Sequence, residues 1–197
     1  MKPSLLIVTP TLESANDGNW RTARRWAGIL TPRFEVEIAD GWYGSSPDVL
    51  IALHARRSAE AIESFAAAYP DRAIIVVLTG TDVYRDIHRD RAAARVLELA
   101  RRIVVMQPQA RFEIAPWLRH KVEVIYQSAP FAARHEPRRD AFEIVSVGHL
   151  RNEKDPLILM RAARQLPDAS AIRIVQIGRA LDPALEREAL AAHSLHY

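Results

Sequence analysis

The sequence predicts two doubly wound α/β units, the second of them incomplete. Short apolar runs without polar alternation recur along the chain, and amphipathic helical segments separate them. The same pattern restarts at Phe142 after a polar stretch bounded by Pro130 and Pro137. With 197 residues and 49% hydrophobic content the chain can bury a core, which excludes a disordered protein. The 27 basic and 24 acidic side chains leave a net charge of only +3, so no nucleic-acid surface is expected. No cysteine is present, which removes disulfides, thiolate metal sites and cysteine nucleophiles together. The apolar run near the N-terminus, Leu5 to Val8, is too short for a signal peptide or a membrane span, so a soluble cytoplasmic protein is expected.

The first strand, Leu5-Leu6-Ile7-Val8, is apolar at every position, as a strand covered on both faces requires. Gly18-Asn19 opens a helix that places Trp20, Ala23, Ala27 and Leu30 on one face and turns Arg21, Arg24 and Arg25 away. Residues 34–39 and 49–53 are β-rich and read as strands two and three, with a turn-rich segment at 41–47 between them. Ser58 caps the next helix, in which Ile62, Phe65, Ala66 and Tyr69 recur at helical spacing until Pro70 stops it. A strand at 74–78, a helix over 90–101, a strand at 103–106, a helical piece at 108–115 and a strand at 122–125 complete an N-terminal domain of residues 1–130. Residues 131–141 read as a linker. Beyond it, residues 142–147 form a buried strand running into Gly148. Asp155 at the N-cap and Pro156 at N1 then start a helix with Leu159, Ala162, Ala163 and Leu166 on one face. Residues 172–177 make another strand, and Asp182-Pro183 repeats the helix start. Two strands and two helices leave a sheet open at its edges and faces, so residues 142–197 are expected to be the start of a second Rossmann-like domain.

Ligands of doubly wound sheets bind beyond the carboxyl ends of the strands, which directs attention to four loops. Gly18 and Asn19 precede a helix N-terminus and offer N–H groups to an anion, or form an ordinary helix start. His54, with Arg56 and Arg57, follows strand three; it is a base or hydrogen-bond donor, or a structural histidine. Thr79-Gly80-Thr81-Asp82, followed by Arg85, combines a glycine that permits close approach with two hydroxyls and a carboxylate. The alternative there is a turn in which Asp82 bonds its own backbone. The fourth loop contains Gly148, His149, Arg151 and Lys154 before a helix start, a composition suited to cradling a diphosphate. Lys154 is one of only three lysines against 24 arginines. No P-loop, G-x-G-x-x-G or zinc pattern is present, so no cofactor or metal is expected.

The segment Val147-Gly148-His149-Leu150-Arg151-Asn152-Glu153-Lys154 resembles the Gly-Arg-Leu-x-x-Glu-Lys segment that opens the donor domain of GT-B glycosyltransferases of the family 4 type. Lys154 falls on the lysine of that pattern; His149 stands where its arginine is expected, and Arg151 comes two residues later. Taken with Gly18-Asn19-Trp20-Arg21-Thr22-Ala23-Arg24-Arg25-Trp26, Leu53-His54-Ala55-Arg56-Arg57-Ser58 and Leu78-Thr79-Gly80-Thr81-Asp82, the whole chain resembles the SenB-type selenosugar synthases of bacterial selenoneine biosynthesis. The resemblance implies a GT-B enzyme without a cofactor that transfers a sugar from a UDP-sugar, UDP-GlcNAc or UDP-glucose, to selenophosphate. It assigns Gly148, His149, Arg151 and Lys154 to the donor diphosphate. The acceptor side falls to Gly18, Asn19, Arg56, Arg57, Thr79, Gly80 and Arg85, with Asp82 and His54 as candidate catalytic residues. The donor-sugar segment of that family is expected beyond Tyr197, so this chain by itself is expected to be inactive. A family 4 enzyme acting on an ordinary hydroxyl would share the fold and Lys154; a noncatalytic nucleotide-sugar-binding module is the third reading.

Overall fold

The computed structural model describes residues 1–15, 17–167 and 170–193. The chain divides into two compact units, Met1–Pro130 and Phe131–Tyr197. The first is built on a parallel sheet of β1 (Ser4–Val8), β2 (Glu35–Ala39), β3 (Val49–Leu53), β4 (Ala73–Val77), β5 (Arg102–Val105) and β6 (Val122–Val124), in the order β2-β1-β3-β4-β5-β6. The strands lie within about a residue of their expected places, and β1, β3, β4 and β5 each carry an unbroken apolar run.

Successive side chains of a strand point to opposite faces, and the two faces of this sheet are covered by different helices. Leu5, Ile7, Ile51, Leu53, Val77 and Val104 pack with Ala23 of α1 (Gly18–Leu30). Leu6, Val8, Leu50, Ala52, Ile74, Val76, Ile103 and Val105 pack instead on α2 (Ala59–Ala68) and α4 (Arg91–Leu99), through Ile62, Phe65, Val96 and Leu97. The edge strand β2 alternates polar and apolar residues: Val36 and Ile38 join the α1 face, while Glu35 is exposed and Glu37 sits opposite Leu6. The turn-rich segment after β2 folds over α2, where Trp42 meets Phe65 and Tyr69 edge-on at 5.9 and 6.2 Å between ring centres.

The cap of α2 differs from expectation, while α1 begins at Gly18 as expected. Ser58 occupies the N-cap of α2 but its hydroxyl caps nothing; it donates to the Leu53 carbonyl at 2.7 Å and so closes the turn after β3. α1 is capped by Asp17, whose Oδ1 accepts from the Trp20 N–H at 3.0 Å. Between β4 and α4 the chain makes a π-helical turn, Asp82–Asp86, and the one-turn helix α3 (Ile87–Arg89). Two short 3-10 helices, Pro108–Glu113 and Pro116–Lys121, stand in place of the expected helical piece at 108–115.

In the second unit residues 131–141 carry no helix or strand. β7 (Phe142–Val147) and β8 (Ile172–Ile177) pair in parallel, with α5 (Leu157–Ala163) and α6 (Pro183–His193) following them. Asp155 is not the N-cap of α5. It adopts a left-handed conformation, φ 39°, after a 3-10 turn Asn152–Lys154, and its carboxylate faces Arg161 at 3.5 Å. α5 ends at Ala163, before Leu166, and Ala162 is exposed. Among the described residues no helix is long and apolar enough to cross a membrane.

Candidate functional site

The strand order reverses between β1 and β3, and the crevice beyond their carboxyl ends is where an open parallel sheet accepts ligands. The loops after β3 and its neighbour β4 meet beside that crevice at the carboxyl edge of the sheet, and the Asp82 carboxylate joins them. Asp82 is fully buried, at 0% exposure. Its Oδ1 accepts from the N–H groups of Gly80 at 2.8 Å and Thr79 at 3.0 Å; its Oδ2 accepts from Ala55 N–H at 3.1 Å. All of its printed hydrogen bonds go to the backbone of these two loops, so in this structure Asp82 holds the loops after β3 and β4 together.

His54 lies in the same junction. It ends β3 in the left-handed region at φ 70°, is 6% exposed, and takes Arg57 N–H on Nδ1 at 3.4 Å. Its Nε2 stands 3.4 Å from Thr81 Oγ1 and 3.9 Å from Asp86 Oδ2. Burial pushes the imidazole below the ordinary histidine range; the carboxylate of Asp82 opposes this, the Arg57 cation adds to it and Asp86 opposes it. Both ring nitrogens have partners and the ring is nearly enclosed, so His54 helps to order the junction of the two loops. A histidine whose folded pKa is depressed stabilises the fold above its unfolded value, near 6.5, and that stability is lost as pH falls from there through the folded pKa. Tryptophan fluorescence unfolding should show a fall in stability below about pH 6.5 that His54→Gln lacks; parallel pH profiles for the two proteins would refute it.

The arginines separate into distinct roles. Arg56 Nε donates to Asp90 Oδ2 at 2.9 Å, and the same carboxylate caps α4 through Ala92 and Ala93 N–H groups. Arg85 Nε donates to Oδ1 of Asp86, itself only 4% exposed, at 3.0 Å. Arg57 is exposed, and its guanidinium has no partner among the described residues. Of Arg56, Arg57 and Arg85, it is the one whose guanidinium no carboxylate among the described residues engages.

Gly18 and Asn19 do not join this cluster: no hydrogen bond among the described residues links residues 9–19 to residues 79–82. At their helix start the Asp17 carboxylate accepts from Trp20 N–H, as in an ordinary helix cap, and also from Thr11 Oγ1 at 2.7 Å. Gly80 has φ +156° and open space where a side chain would stand, so ligand atoms can approach its backbone closely. Asp17 and Asp90 were not anticipated as partners in these loops. The Asp82 to Asp86 spacing of four puts both carboxylates near one face of a helical turn.

In the second unit, the loop after β7 is tied to the loop after β8. His149 Nδ1 accepts from Arg179 N–H at 3.1 Å, and Gly148 O accepts from Gln176 Nε2 at 2.9 Å. His149 is thus occupied by the fold, whereas Arg151 and the exposed Lys154 have no ion-pair partner among the described residues. α5, with seven residues, adds little dipole to this loop. No known protein-family model matches the chain, and no curated protein matches it significantly in sequence.

Proposed function

We propose that the chain belongs to a GT-B glycosyltransferase of the SenB type, which transfers a sugar from a UDP-sugar to selenophosphate. In the proposed step a bond forms between selenium and the anomeric carbon as the bond from that carbon to the diphosphate breaks, and UDP leaves with the electron pair. The observation that carries the acceptor side is the junction of the β3 and β4 loops through Asp82, which gathers Arg57, Thr81 and the open backbone at Gly80 at the carboxyl edge of the sheet. A selenium nucleophile is already ionised near neutral pH, so a site of fixed donors and one free cation suffices without a general base. That agrees with the enclosure of both His54 and Asp82. Lys154 and Arg151, without an ion-pair partner among the described residues, supply the donor side with two cations for a diphosphate.

Incubating the full-length protein with UDP-N-acetylglucosamine or UDP-glucose and selenophosphate should release UDP and a selenium-containing sugar, detected by mass spectrometry. Arg57→Ala is expected to raise KM for selenophosphate about tenfold and leave that for the UDP-sugar nearly unchanged. Lys154→Ala should weaken UDP binding by about 1.5–3 kcal/mol. UDP release with a hydroxyl acceptor but not with selenophosphate would assign the protein to the ordinary family 4 chemistry.

A further inference from the structure

We propose that Thr81 is a ligand-binding residue of the β3/β4 junction, its hydroxyl proton aimed into the crevice by the His54 ring as a donor to a small tetrahedral oxyanion. The inference rests on the anionic-acceptor reading above and deepens it. His54 Nδ1 accepts from Arg57 N–H, so in the neutral ring the proton must be on Nε2. Asp86 Oδ2, at 3.9 Å, favours that tautomer by placing negative charge beside Nε2–H. The Nε2–H then donates to Thr81 Oγ1 at 3.4 Å and occupies one of its lone pairs.

A hydroxyl has one proton to donate, and the orientation that accepts from His54 turns that proton away from the ring. The usual destination is absent: Thr81 stands at the N-cap of the π-helical turn yet its side chain makes no cap hydrogen bond. Among the described residues its oxygen has no other partner, and the residue is half-exposed beside the open face of Gly80. The exposed Arg57 cation supplies charge for the same ligand, while its N–H holds His54 in place. A donor fixed in this way favours an oxygen with lone pairs and disfavours an ammonium or amide N–H, which would be left facing a proton.

Calorimetric titration of the chain with inorganic phosphate, for the parent protein and for Thr81→Val and Thr81→Ser, tests the proposal. Valine keeps the shape and removes the donor; serine keeps the donor. We expect Thr81→Val to weaken phosphate binding about tenfold and Thr81→Ser to stay within about twofold of the parent. A nitrogen-15 NMR spectrum of the parent protein should show His54 as the Nε2–H tautomer, a readout that needs no variant. Equal phosphate affinity of the parent and Thr81→Val, or a His54 ring protonated on Nδ1, overturns the proposal and leaves the transferase reading in place. Failure of the parent to bind phosphate also overturns it, and the separate transfer assay with selenophosphate decides whether the transferase reading falls as well.

Discussion

Replacing Asp82 by alanine is expected to destabilise the N-terminal unit by about 3–5 kcal/mol, the range for leaving buried polar partners unsatisfied. The carboxylate accepts from the backbone of Ala55, Thr79 and Gly80, and none of these N–H groups gains water when it is removed, because the position is fully enclosed. Asparagine is nearly isosteric but turns an NH2 group toward at least one of the same donors, so Asp82→Asn should recover only part of the loss. All four tryptophans, at 20, 26, 42 and 117, lie in this unit, so denaturant unfolding followed by tryptophan fluorescence reads it alone. Loss of phosphate binding should accompany the destabilisation even where the unit remains folded, because the β3 and β4 loops are no longer tied. A variant as stable as the parent would mean that the loops hold each other by other contacts.

Gly178→Ala is expected to destabilise the second unit by about 3 kcal/mol or more, combining backbone strain with overpacking. Gly178 has φ +154°, which side-chain-bearing residues rarely adopt, and a Cβ there would run into the carbonyl of Gly148 and lie 2.9 Å from His149 N. Both obstacles are backbone, so neither can rotate away. The loop that yields is the one carrying Arg151 and Lys154, and UDP affinity should fall with stability. Faster amide exchange in β7 and β8 with unchanged tryptophan unfolding is the expected signature. Unchanged exchange would show that the β7 and β8 loops can separate without harm. Alanine at Gly148, where a Cβ meets nothing within 4 Å, is the control.

Much of the scaffold was legible in the amino-acid sequence because burial on both faces leaves a one-dimensional trace. Leu5 to Val8, Val49 to Leu53 and Ile74 to Val77 are apolar at every position, and only a strand sandwiched between helices tolerates that pattern at such lengths. The α/β class, the parallel sheet and the loops worth searching all follow from those runs. Boundaries were less legible where a cap had two claimants. At α5, Asp155-Pro156 has the composition of a helix start, but the preceding 3-10 turn places Asp155 in the left-handed region and delays the helix to Leu157.

The roles of the polar residues were decided only by the tertiary structure. From sequence, Asp82 and His54 were candidates for catalysis, since a carboxylate and an imidazole at strand ends are chemically able to perform it. Their enclosure depends on how two loops 27 residues apart in sequence close over them, and hydrophobic periodicity carries no record of such a contact. The four arginines Arg21, Arg56, Arg57 and Arg85 look alike as letters. Arg56 is drawn to Asp90 and Arg85 to Asp86, while no carboxylate among the described residues pairs with the guanidinium of Arg57. Local pattern determined where the chain would be strand or helix, because that depends on which faces are hidden from water. Which charge remains available for a ligand depends on partners brought together from distant positions, and only the folded arrangement supplies them.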